Sequence, residues 1–221
     1  MKSPLVLPCL ALLGILSIDP APGRVSIELA TLHVAALTAT RGAADNSDAP
    51  YFLVSVLRNG ARTSAHFPAE GHWRLEENAI VRPTAMDVLE LGPGDSARVV
   101  ISVLESESTD LKPELDGATA TTTALAGLSQ PLLDPAGPAL GTALGALTQA
   151  GAHRIGSVSL LLTNEGGSIW WRRMECIQDC AMLKGLAPQG GTSLTTATNG
   201  VFELTGAGGT YHLNLNLTAL E

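Results

Sequence analysis

From Tyr211 to Thr218 the chain alternates strictly, with Tyr211, Leu213, Leu215 and Leu217 on one phase and His212, Asn214, Asn216 and Thr218 on the other. Successive side chains on a β-strand point to opposite faces, so this segment offers one face to a core and one to water. The same period runs through Val25, Ile27 and Leu29, then slips after Ala30-Thr31 into Leu32, Val34 and Ala36. A phase slip inside one apolar run predicts a bulge or bend. Tyr51 to Leu57 reads as a second strand, and Asn59-Gly60 after it is a strong hairpin signal, because both central positions of a type I′ turn need positive φ. A return strand is expected from Thr63 to Phe67.

Further strand patterns cover Met86 to Leu91 and Ala97 to Leu104, which the turn Gly92-Pro93-Gly94-Asp95 is expected to join as a pair. Ile155 to Leu162, Ile169 to Trp171 and Val201 to Leu204 complete the set. Between Glu105 and Arg154 the pattern breaks: the run 105–110 is polar, 118–123 is Ala/Thr-rich, and Leu140, Leu144 and Leu147 stand at helical spacing after Asp134-Pro135, a plausible helix cap and first turn. The expected architecture is all-β, an antiparallel Greek-key sandwich over residues 24–221, with a long, partly helical insertion at 106–152. Aromatic residues are only 4% of the chain against 45% hydrophobic overall, so the core must be built from Leu, Val, Ile and Ala.

Residues 1–23 read as a secretory signal peptide: Lys2 near the start, an apolar run from Leu5 to Ile18, and small residues at Ala21 and Gly23. That run is short for a hydrocarbon core roughly 30 Å thick. The localisation expected is therefore secreted or periplasmic, with no transmembrane segment left in the mature chain. Cys176 and Cys180 remain after cleavage, and in an oxidising compartment such a pair predicts a disulfide, with the segment 175–183 a distorted turn or helix end. A net charge of −8 with three lysines argues against nucleic acid, whose phosphates call for a basic patch.

Three motifs, in order, resemble the C2 β-sandwich. Ser47-Asp48-Ala49-Pro50-Tyr51 is similar to that family's Ser-Asp-Pro-Tyr signature with Ala49 inserted. The strand Val99 to Leu104 runs into Glu105-Ser106-Glu107, like the strand that ends in spaced acidic ligands. Arg154-Ile155-Gly156 leads into Val158-Ser159-Leu160, like the family's Ile-Gly strand entry. The chain departs from the family by offering glutamates where aspartates are usual, by its long insertion, and by Trp73 standing loosely for an Asn-Pro-x-Trp element. What the resemblance implies is a non-enzymatic module that binds a protein or lipid surface, with calcium as cofactor. Its metal ligands would be Asp45, Asp48, Glu105, Glu107 and Asp110, because calcium takes six to eight hard oxygens and clustered loop acids supply them. The alternative for these acids is ordinary solvation.

Catalytic patterns are sparse. Gly166-Gly167-Ser168-Ile169 lacks the closing glycine of a nucleophile elbow, and no Gly-Lys-Ser/Thr phosphate loop occurs. His33, His66, His72, His153 and His212 show no metal-ligand spacing; His33 and His212 fall in strands, where a polar-face position is expected. Of Trp170 and Trp171, adjacent on a strand, one should enter the core. A secreted enzyme of hydrolase type, whose residues converge only in three dimensions, and a component of an assembly that docks through the insertion are the competing readings.

Overall fold

In the computed structural model, residues 22–39, 46–58, 61–83, 88–106, 152–185, 192–194 and 198–220 are described. They form two antiparallel sheets packed as a sandwich. The first runs β4 (Ile80–Val81), β1 (Gly23–Ala36), β12 (Thr210–Leu220), β11 (Thr198–Leu204), β9 (Cys180–Gly185), with β5 (Val88–Leu91) also pairing β1. The second runs β10 (Thr192–Ser193), β8 (Ser168–Gln178), β7 (Ala152–Glu165), β6 (Ser96–Ser106), β2 (Pro50–Arg58), β3 (Ala61–Phe67).

The alternating segments form strands for the reason their pattern implies. On β12, Tyr211, Leu213, Leu215 and Leu217 are fully buried while the intervening polar residues are half-buried on the outer face. The slip in β1 is a bulge: its register with β12 shifts between Leu29 and Thr31, which lets Val25, Ile27 and Leu29 and then Leu32 and Val34 all enter the core. Arg58 pairs with Ala61, so β2 and β3 are joined across two residues; Asn59-Gly60 itself lies outside the described residues. Trp171 is in the core and Trp170 is half-buried.

One expectation is corrected. Residues 88–91 and 96–106 are strands but not a pair, because β5 joins β1 in the first sheet and β6 joins β2 and β7 in the second. The turn between them is a crossing, fastened by Asp95 Oδ2, which accepts from Gly92 N at 3.1 Å and from Arg58 Nη2 at 2.8 Å. Buried Asn164 closes the same end, donating Nδ2–H to Leu91 O at 2.7 Å. Of the two forms expected for the cysteine segment, the distorted turn is found and the helix end is not, with strand on either side of the bend. β8 and β9 meet at a corner where Asp179 takes φ 50°, and the Cys176–Cys180 disulfide spans it with a Cα separation of 5.2 Å. Ser106 and Ala152 are register partners, so the inserted segment leaves and re-enters the second sheet at one place. The proposed helix around Leu140 to Leu147 lies outside the described residues.

Candidate functional site

The strand into which the Ser-Asp loop empties, β2, lies beside the strand that ends in Glu105, and Tyr51 is the register partner of Leu104, Pro50 of Glu105. Asp48, just before β2, and Glu105, near the end of β6, are therefore forced to one end of the sandwich. Asp48 is held by an isolated bridge: its N–H donates to Leu75 O at 2.8 Å, and Leu75 N–H donates back at 2.9 Å. Ala49 O accepts from Ser106 N at 3.1 Å, which fixes the approach of the two loops.

Two residues from the first sheet complete the cluster. Thr38, just past β1, donates its N–H to Asp48 Oδ2 and its hydroxyl to Oδ1, both at 2.9 Å. Tyr211, on β12, donates its hydroxyl to Asp48 Oδ2, and Thr38 Oγ1 also contacts Glu105 Oε2. All four residues are buried, Asp48 to 1% and Glu105 to 0% exposure. The Thr38 hydroxyl carries a single hydrogen, so it can donate to only one of the two carboxyl groups at a time. Burial drives the Tyr211 phenol well above its ordinary pKa of 10.0, helped by its hydrogen bond to Asp48 and by the charges of Asp48 and Glu105. The hydroxyl is thereby kept as a donor.

Of the five acids proposed as a ligand set, Asp48 and Glu105 are brought together, through Thr38. Asp45, Glu107 and Asp110 lie outside the described residues. No group of three or more His, Cys, Asp or Glu side chains suited to a metal occurs among the described residues. The sequence reading missed Thr38, because a lone threonine after a strand carries no motif. Tyr211 had one signal, the alternation that put it in the core: a buried phenol needs a hydrogen-bond partner.

A second feature lies at the sandwich edge formed by β3 and β5. A cleft of about 220 Å³ opens there between the sheets, lined by Ile27, Val54, Val56, Phe67, Val88 and Leu89, with Thr63 and Ala65 of β3 at its side. Among the described residues β3 is the terminal strand of its sheet, and Ala61, Thr63, Ser64 and Ala65 are exposed. Val88 at the mouth is 45% exposed, and Ile80, on the neighbouring β4, 62%.

No protein-family model and no curated protein matches this chain.

Proposed function

We propose that the chain is an exported, non-enzymatic binding module of C2-like, Greek-key build that takes an extended segment of a partner protein at the edge formed by β3 and β5. The observation that carries this reading is the coincidence of a terminal strand with an apolar cleft. Among the described residues no strand pairs the outer side of β3, so an added strand can pair there, and the cleft can seat alternate side chains of that strand. A polypeptide satisfies those backbone groups, whereas lipid tails leave them unpaired at a cost of several kcal/mol each. The described acids Asp48 and Glu105 are buried and so offer no contact surface. Export is supported by the apolar run 5–18 and by the Cys176–Cys180 disulfide, a bond at home in oxidising compartments.

Site-specific photo-crosslinking in the natural host tests this reading. A crosslinker at Ala65 should capture one defined protein, while the same group at Asn199, exposed on β11 of the other sheet, should not. Equal capture at both positions, or none at Ala65, contradicts it. A second reading, calcium assistance at the acidic end, is favoured by the meeting of Asp48 and Glu105 around one hydroxyl. Calcium would have to displace the Thr38 and Tyr211 donors from Asp48. A rise in melting temperature with calcium that Asp48→Asn removes supports it; a melting temperature indifferent to calcium sinks it.

A further inference from the structure

The outer face of the first sheet carries a row of three side chains that the sequence keeps far apart. β12 lies between β1 and β11, and His212 is the register partner of His33 on one side and of Glu203 on the other. Their chain neighbours Leu32, Val34, Tyr211, Leu213, Phe202 and Leu204 are buried in the core, so the three point outward; His212 and Glu203 keep 32% and 35% exposure. The Nδ1 atoms of His33 and His212 stand 3.5 Å apart. The other ring nitrogen of His212, Nε2, lies 3.3 Å from Glu203 Oε2.

The order of these contacts decides where the protons sit. An ionised carboxylate can only accept, so Nε2 of His212 carries the hydrogen and donates it to Glu203. In the neutral ring Nδ1 of His212 is then the lone-pair nitrogen, 3.5 Å from Nδ1 of His33. Two nitrogens each about 2.0–2.1 Å from a tetrahedral zinc ion stand roughly 3.3–3.4 Å apart, close to the separation already present. A ligating imidazole whose far N–H is held by a carboxylate is the arrangement that fixes ring orientation and raises basicity at metal centres.

We propose that His33 and His212 form a surface site for a divalent, imidazole-preferring metal of the zinc class, with Glu203 as the positioning residue for His212. The metal takes Nδ1 of both rings, and water fills its remaining positions. Without metal, His33 Nδ1–H donates into Nδ1 of His212; on binding, His33 holds its hydrogen on Nε2 instead, and no net proton leaves. Glu203 faces the far nitrogen and does not ligate, while its negative charge offsets that of the cation. Imidazole nitrogen selects zinc, copper or nickel over calcium, so the site is chemically distinct from the acidic end of the sandwich.

Long-range ¹H–¹⁵N NMR of the imidazoles, in the disulfide-intact chain titrated with zinc, reads the ligands directly without any variant. The expected result is saturable binding of one zinc per chain, with the Nδ1 resonances of His33 and His212 shifting and those of His66 and His153 unmoved. His33→Gln and His212→Gln should each abolish the saturable phase, with the zinc-free fold checked by circular dichroism. Glu203→Gln should keep both shifts and weaken binding about 10-fold. Absence of saturable binding, shifts at other histidines, or undiminished binding by both glutamine variants would overturn the site; unchanged affinity in Glu203→Gln would overturn the positioning role.

Discussion

Three protein donors converge on the carboxylate of Asp48: the Thr38 amide, the Thr38 hydroxyl and the Tyr211 hydroxyl. Two of the donors belong to Thr38, after β1, and one to β12, so a side chain that leads into the second sheet is clamped by the first. Hydrogen bonds to a charged group are worth about 1.5–3 kcal/mol each, and a buried partner left unmatched loses that much again. Asp48→Asn keeps one accepting oxygen but turns an N–H2 donor toward the donors on the other, so a loss of about 1.5–3 kcal/mol is expected in urea unfolding. Tyr211 makes the same clamp sensitive to alkali. Its pKa is raised in the folded chain, so the unfolded chain releases the proton first; the contribution is fully present below about pH 10 and is lost as pH climbs above it. Melting curves from about pH 9 to about pH 11 should therefore fall more steeply for the wild type than for Tyr211→Phe. Parallel slopes would show that the phenol is not held neutral by the fold. Asp48 and Glu105 were legible in the sequence as a pair only through the C2 resemblance, which implies that the strand opening at Tyr51 lies beside the strand ending at Leu104. Their burial was not, since the loop composition reads as solvated and the burying partners lie 10 and 163 residues away from Asp48.

At the scale of elements, what the sequence reveals is the inside and outside of each strand. Period two carries that information locally, which is why the bulge after Leu29 and the buried face of β12 could be read directly. Which sheet a strand joins is a different matter, settled by contacts distant in the chain. Gly92 to Asp95 has the composition of a hairpin turn, yet Arg58 and Asn164 hold it as a crossing between sheets. The short strands β4 and β10 pair through two residues each and leave no periodic signal. β9 was missed for a related reason: the cysteine pair suggested a turn, whereas the bond spans a corner that carries the chain from β8 into the other sheet. Closing so short a loop constrains the unfolded chain by about 2 kcal/mol in the chain-entropy view. Cys176→Ser with Cys180→Ser should lower stability by about that amount, measured in denaturant, and both thiols of the unreduced wild type should resist alkylation. Ready alkylation without reductant would show the corner to be unbridged.

On the scale of the whole molecule, the sandwich is fastened by polar contacts at both ends, and among the described residues its β3 edge borders an apolar cleft. Asn164, Asp95 and Arg58 tie one end, and Asp48 with Thr38 and Tyr211 ties the other. Exposed terminal strands invite pairing with another chain, and proteins that do not use them cover or charge them. Here the β3 positions flanking the cleft are Thr63, Ser64 and Ala65, small side chains that leave the backbone accessible. The proposed recognition of an extended segment rests on this edge and its cleft. Hydrogen–deuterium exchange of β3, alone and with the protein captured at Ala65, measures this most directly. In the isolated chain, alternate amides between Ala61 and Phe67 should exchange quickly while those of β2 and β6 stay protected, and adding the partner should slow the β3 amides. Amides of β3 already as protected as those of β6 in the isolated chain, or unchanged when the partner is bound, would contradict recognition at this edge.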